Sequence, residues 1–297
     1  MSQLSWDVFV APELALAGDD LPPGLSTRTW GPVSATLIMG REDAVLVDAL
    51  LTTAQATALA GWIQARGRNL TTVYVTHGHG DHFFGLPIIL DRFPRARAVA
   101  LPGAIEVMRE QLAPPVIAYY DAILPGQIPG GRTLPGPLAA GPITLDGHAL
   151  IPVELGHTDT AATTCLHVPS LGLVVAGDAV YNTTHVFTGE SDASARRQWR
   201  AALDVIASLS PRTVIAGHKP PGADDSPRHI ELTRRYLDDF DRLQAAAPGA
   251  PALYEAMLSR YPAWASPGTL WGSIRAQAAT RNPTRRSADP APASPSS

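Results

Sequence analysis

The stretch Thr76–Gly85, THGHGDHFFG, places His77, His79, Asp81 and His82 within six residues. That density suits neither a helix face nor a hydrophobic core. The preceding run TTVYVTH (71–77) reads as an apolar strand, and DHFFGLPIILDRF (81–93) reads as a helix despite Pro87. The cluster therefore falls where a strand hands over to a helix. In extended chain, alternate side chains point the same way, so His77 and His79 share a direction. Asp81 and His82, on the turn into the helix, reach a second position. At this chain's own histidine frequency, H-x-H-x-D-H arises by chance on the order of once in a thousand such sequences.

The partners of this cluster are sought at other strand ends. The strand ALIPVEL (149–155) is followed by Gly156 and His157 in GHTDT, GLVVAGDA (172–179) carries Asp178, and RTVIAGH (212–218) ends in His218. In a layered α/β fold the strand ends form one rim, and loops on that rim carry function. Further strands are read at 5–11, 33–39, 43–50, 97–102 and 163–169. Helices are read at 52–67, 194–210 and 226–247. The segment 102–135 starts helical and turns rich in Pro, Gly and aromatic residues. It reads either as an apolar insertion over the site or as an ordinary surface connection. Residues 249–281 read as two extra helices broken at Pro267-Gly268, and the Pro/Ser/Ala-rich tail 282–297 as disordered. One domain spanning 1–281 is expected, without short-period repeats.

Imidazole nitrogen and carboxylate oxygen together suit zinc, iron or manganese. Five histidines and two aspartates exceed one tetrahedral site and fill two. Two ions about 3.5–4 Å apart share a water, lower its pKa and stabilise an oxyanion at a carbonyl or phosphoryl centre. Zinc is the default ion for hydrolysis. His148, His167 and His229, outside this pattern, are read as structural.

Composition narrows the field. The chain has 297 residues, 45% hydrophobic and 17% charged, with a formal charge of -4. It has ample material for a core and no overall basic field for nucleic acid. Its single cysteine, Cys165, excludes an intramolecular disulfide and a cysteine-based zinc site. We read no signal peptide at the start and no apolar run of about 18 residues, so a cytoplasmic protein without a membrane span is expected.

The ordered set H-x-H-x-D-H at 77–82, GHT at 156–158, GD at 177–178 and GH at 217–218 resembles the metallo-β-lactamase-fold hydrolases over roughly residues 5 to 245. The resemblance implies an α/β fold of four layers, an αββα sandwich of two mixed sheets flanked by helices, with metals at one edge. It implies that His77, His79 and His157 hold one ion, that Asp81, His82 and His218 hold the other, and that Asp178 bridges them. Asp48, ending the strand AVLVD, matches the family's outer aspartate that orients a ligand histidine. Asp178 is a carboxylate where true β-lactamases usually lack one, so the pattern is closer to thioesterases and lactonases.

The expected substrate is a small neutral or weakly polar ester, lactone or thioester. Two aromatic segments are candidates to shape its pocket: Met108, Ile117, Tyr119, Tyr120 and Ile123 in one, Tyr254, Trp264 and Trp271 in the other. The alternative use of these faces is helix packing or a homodimer contact. Asp81 is a candidate to take a proton or hold the nucleophile. Tyr181 is a candidate to reach the oxyanion, or else packs. His185 is a candidate to line the site, or else bonds a nearby backbone group. Rival activities of the same fold are an iron-dependent persulfide dioxygenase and a phosphodiesterase. A non-catalytic binding protein is disfavoured because no ligand position is lost.

Overall fold

The computed structural model describes residues 3–281, so the tail 282–297 lies outside them. The first half of the chain contributes β1 (Ser5–Ala11), β2 (Leu14–Leu16), β3 (Arg28–Trp30), β4 (Val33–Met39), β5 (Asp43–Val47), α1 (Thr53–Ala65), β6 (Asn69–Tyr74), α2 (Gly80–Phe83), α3 (Leu86–Arg92), β7 (Arg97–Ala100), α4 (Pro102–Gln111), α5 (Pro114–Ile123) and β8 (Gly136–Pro137). The second half contributes β9 (Ile143–Leu145), β10 (His148–Gly156), β11 (Thr163–Val168), β12 (Leu173–Tyr181), α6 (Ala193–Ser208), β13 (Thr213–His218), α7 (Arg228–Ala246), α8 (Ala250–Arg260) and α9 (Pro267–Arg281).

Pairing runs β8-β7-β6-β5-β4 in the first half, with β1 antiparallel to β4, and β13-β12-β11-β10-β9 in the second. The halves meet where His218 pairs with Val33. Side-chain alternation turns this into layers. Along β5, Ala44 and Leu46 join one core and Val45 and Val47 another. A strand buried on both faces reads as an unbroken apolar run, which is why DAVLV lacks polar alternation. Val45, Val47 and Tyr74 from the first half pack with Leu166, Val175 and Ile215 from the second, forming the core between the two sheets. Outside the first half, Leu59 and Ile63 of α1, Ile89 of α3 and Met108 of α4 cover Leu46 and Val73. Outside the second, Trp199 and Ile206 of α6 and Tyr236 and Phe240 of α7 cover Val174 and Val214. Helix, sheet, sheet and helix follow in order, the αββα arrangement.

Local chemistry sets the boundaries near the site. α1 opens with a capping box: Gln55 N–H donates to Thr52 Oγ1 while Thr52 N–H donates to Gln55 Oε1. The single helix expected over 81–93 is two helices. At Gly85 the chain turns tightly against the segment after β5: its N–H donates to Leu50 O at 2.9 Å, and a Cβ there would lie 2.0 Å from Ala49 O. Pro87 then falls in the first turn of α3, where its missing N–H breaks no helical bond. Pro267 likewise opens α9, so the C-terminal break lies at 261–266 instead of at the Pro-Gly pair. The β2–β3 ribbon escaped the sequence reading because three-residue strands are too short to show alternation. Among the described residues, no helix is long and apolar enough to cross a membrane.

Candidate metal centre

The residues that could hold ions gather where the two halves meet. The end of β6 and the start of α2 deliver His77, His79, Asp81 and His82; β12 delivers Asp178; β13 delivers His218. One group consists of His77, His79, Asp159 and Asp178, and a second of Asp81, His82 and His218; within each, the offered ligand atoms lie within 4.8 Å of one another. Asp178 counts in the first group and also contacts the second. Its Oδ1 is 3.1 Å from His82 Nε2, and its Oδ2 is 3.1 Å from His218 Nε2. Gly217 permits this approach, since a Cβ there would lie 2.0 Å from Asp178 Oδ1. The bulged register of β12 against β13 turns Asp178 out of the regular ladder toward the histidines.

The ring nitrogens facing away from the cluster are mostly anchored. His82 Nδ1 lies 2.9 Å from Asp48 Oδ2, His218 Nδ1 lies 2.9 Å from Pro32 O, and His77 Nδ1 lies 3.0 Å from Thr76 Oγ1. Asp48 also accepts the Thr76 N–H at 2.8 Å and sits at φ 65°. With the outer nitrogens engaged, the Nε2 atoms of all three rings face inward. Buried His77 Nε2, His82 Nε2, Asp159 Oδ2 and Asp178 Oδ1 make no hydrogen bond of good geometry. Imidazole and carboxylate donors converging in this way fit a dinuclear metal site.

The electrostatics follow from the same contacts. Burial pulls the His82 and His218 pKa values down, but the facing carboxylates outweigh it. Asp178, Asp48 and Asp81 hold His82 well above the ordinary histidine value, and Asp178 and Asp81 lift His218 to about 10. For His79, Asp159 and Glu190 likewise overcome burial. His77 goes the other way, lowered by burial and by the neighbouring His82. Burial would raise Asp178 and Asp159, yet the imidazoles opposite hold both below the usual carboxylate range. Each proton held here by a carboxylate–imidazole pair is one that a bound cation displaces.

Three expectations need correction. His157 is outside the cluster: its Nε2 lies 3.2 Å from Glu190 O on the partly exposed side of the turn. The cause is local. The register of β10 against β11 shifts between Glu154 and Gly156, and Gly156 takes φ 77°, so the chain swings His157 outward and brings Asp159 inward two residues later. Tyr181 does not face the substrate space. Its hydroxyl donates to Asp178 Oδ2 at 2.7 Å and its ring stacks on His218. His185 is fully buried, with Nδ1 3.0 Å from the Tyr236 hydroxyl and Trp264 alongside, because its N–H is tied to Ala265 O.

A cavity of about 250 Å³ opens over the cluster, with His79, Asp81, Asp178 and His218 in its wall. Val116, Tyr119 and Tyr120 from α5 and Gln111 from α4 line it, so residues 111–120 of the 102–135 segment border the cavity. Met108 and Ile123 belong to the core beneath, and Ile117 packs against it. From the C-terminal region the lining is Gly268, Thr269 and Gly272 of α9, while Tyr254, Trp264 and Trp271 pack with the second-half core. Three contributors were missed in the sequence. Trp30, on short β3, donates its indole N–H to Asp81 Oδ2 at 2.9 Å. Glu190 places Oε1 3.3 Å from His79 Nε2 and accepts from Thr160 Oγ1 at 2.7 Å. Asp159 is the third; the second acid of GHTDT was the available signal.

An αββα sandwich with a buried His–Asp cluster at the junction of its sheets defines a class of metal-binding folds. Residues 28–218 match the family described as the metallo-beta-lactamase superfamily, and the chain belongs to it. Its members are usually metal-dependent hydrolases. Among solved structures, the chain is similar to a metallo-beta-lactamase family protein from Thermus thermophilus (20% identity, 90% of this chain and 94% of that one, TM-score 0.58). It is also similar to the metallo-beta-lactamase FIM-1 from Pseudomonas aeruginosa (14%, 83% and 93%, 0.55) and to a metallo-beta-lactamase from Pontibacter korlensis (15%, 80% and 100%, 0.56). At these identities the likeness is one of fold. No curated protein matches the sequence significantly.

Proposed function

We propose that the protein is a dinuclear metal-dependent hydrolase that cleaves the acyl bond of a small, largely apolar ester, lactone or thioester. The observation that carries this reading is Asp178, a carboxylate grouped with His77, His79 and Asp159 that also contacts His82 and His218, at the wall of a compact, aromatic-lined cavity. Divalent ions at such a cluster lower the pKa of water and polarise a carbonyl.

The chain's own residues prepare for that chemistry. Asp48 fixes the ring of His82, Pro32 O fixes His218, and Tyr181 holds one oxygen of Asp178. Of the two roles the sequence offers Asp81, ion ligand and proton acceptor, the first suits its surroundings better. Trp30 occupies its Oδ2, and although burial would raise its pKa, His82 and His218 hold it far below the usual carboxylate range. Leu16, Val116, Tyr119 and Phe187 give the cavity apolar walls for an acyl group. Arg28, also in the wall, lies 3.8 Å from Asp20 and offers a place for one acidic substituent. A polyphosphate or nucleic-acid strand finds no comparable basic track in that lining.

The test is metal analysis of the purified protein with a panel of lactones, thioesters, carboxylic esters with and without a terminal acid, and phosphodiesters. Two bound ions and turnover of one acyl class are expected. A preference for phosphodiesters, or oxygen uptake with a persulfide substrate by an iron-loaded preparation, overturns the assignment.

A further inference from the structure

The third donor of the first ion position differs from the family pattern. The resemblance calls for the histidine of GHT. In the structure that histidine, His157, hydrogen-bonds toward Glu190 O, and Asp159 stands in the cluster instead. Asp159 is fully buried. Thr158 Oγ1 donates to its Oδ1 at 2.7 Å, which leaves Oδ2 to face the histidines, 2.7 Å from His79 Nδ1 and 3.4 Å from His77 Nε2. His77 Nε2 is itself buried without a well-formed hydrogen bond. A buried carboxylate held by one oxygen, with the other aimed at two imidazoles, has the geometry of a ligand and not of a surface ion pair.

We propose that Asp159, and not His157, completes the first metal position. This rests on the reading that the cluster holds two ions. The two positions then become equivalent in donor type. Each has two imidazoles, one aspartate of its own (Asp159 or Asp81) and a share of Asp178. Relative to a three-histidine position, the first gains one negative charge and exchanges a nitrogen donor for oxygen. Oxygen donors raise manganese(II) and iron(II) relative to zinc, although zinc keeps the higher absolute affinity at most such sites. The zinc-over-manganese ratio at this position is therefore smaller than a His-rich site would give.

The experiment uses the full chain, stripped with chelator and reloaded with Zn²⁺ or Mn²⁺. Stoichiometry is read by elemental analysis, affinity by calorimetric competition, and pairing of the ions by manganese electron paramagnetic resonance. Asp159→Asn keeps the shape and the Thr158 contact; Asp159→His restores the family's donor; His157→Ala removes the rim residue. Circular dichroism confirms that each variant is folded. The expected results are a parental two-ion load for His157→Ala and a loss of roughly tenfold or more in affinity for one ion in Asp159→Asn, with an isolated-ion manganese spectrum. Asp159→His is expected to shift the zinc-over-manganese ratio toward zinc by about tenfold. Two ions at parental affinity in Asp159→Asn, or loss of an ion in His157→Ala, overturns the assignment; an unshifted ratio in Asp159→His overturns the selectivity. A parent protein that binds no ions at all brings down the functional reading instead, so the two failures are distinct.

Discussion

Two buried imidazoles in the second half of the chain behave in opposite ways. His218, at the end of β13, is lifted to about 10 because Asp178 and Asp81 more than offset its burial. His185, in the loop after β12, is pushed down to about 4 by burial alone, among Tyr236 and Trp264. Burial is common to both, so it does not mark a metal position. The carboxylates facing His218 do. The cluster is a region where charge is organised to receive cations, and the pocket around His185 is a region where charge is excluded.

The hardest way to break this contrast is to remove the shared acid. Asp178→Ala should lower hydrolysis by more than about a thousandfold, since both positions lose a donor, and should leave at most one bound ion. Activity assays and elemental analysis on the same preparation check it. A variant that keeps two ions and most of its rate would show that Asp178 is not shared. Next in size is Asp48→Ala. Loss of an outer carboxylate costs roughly 10–100-fold in metal affinity, and here it frees the ring of His82. The larger effect should fall on the ion that His82 would hold, with a smaller one at the other through Thr76, which links Asp48 to His77; a titration with Mn²⁺ resolves the two. A smaller effect is expected for Tyr181→Phe. It removes the donor to buried Asp178 Oδ2 and keeps the ring stacked on His218. The cost is about 1–3 kcal/mol of stability in the metal-free protein, measurable by urea unfolding. A bound cation can satisfy the freed oxygen, so the loaded variant should recover most of it.

Much of the cluster was legible because regular geometry carried it. His77 and His79 follow from strand alternation, and Asp81 and His82 from the first turn of a helix. Asp178 and His218 follow from their places at strand ends. The misreadings fall where backbone geometry is irregular. A bulge at Gly156 exchanged His157 for Asp159, and no alternation rule anticipates a one-residue register shift. Trp30 was hidden on a three-residue strand, and Glu190 lies in the loop ahead of α6, where sequence carries no direction signal. The two-layer core was legible from apolar runs such as DAVLV; the single pairing that joins the halves, His218 with Val33, was not. His185 was a reasonable candidate from its place after β12, but sequence proximity does not reveal which side chains face a ring across the fold.

His185 offers the finest test of the contrast, through pH. Its folded pKa of about 4 lies below the ordinary histidine value, so between the two the unfolded chain binds a proton that the folded protein excludes. Stability linked to this residue is therefore complete above about pH 6.5 and falls as pH drops toward 4, at about 1.4 kcal/mol per unit in that window. The other acid-sensitive groups contribute to the same curve, so the measurement is a difference. Urea unfolding of the parent and of His185→Asn, taken at steps from pH 7 to 5.5, should show the parent losing about 1.2 kcal/mol more than the variant. The Asn side chain retains a polar atom to meet the Tyr236 hydroxyl, so the variant should be close to the parent in hydrolysis at pH 7. If the two proteins lose stability in parallel, His185 takes up its proton as readily in the folded protein as in the unfolded chain. Its surroundings then exclude no charge, and the line drawn between the cation-receiving cluster and the charge-excluding pocket disappears.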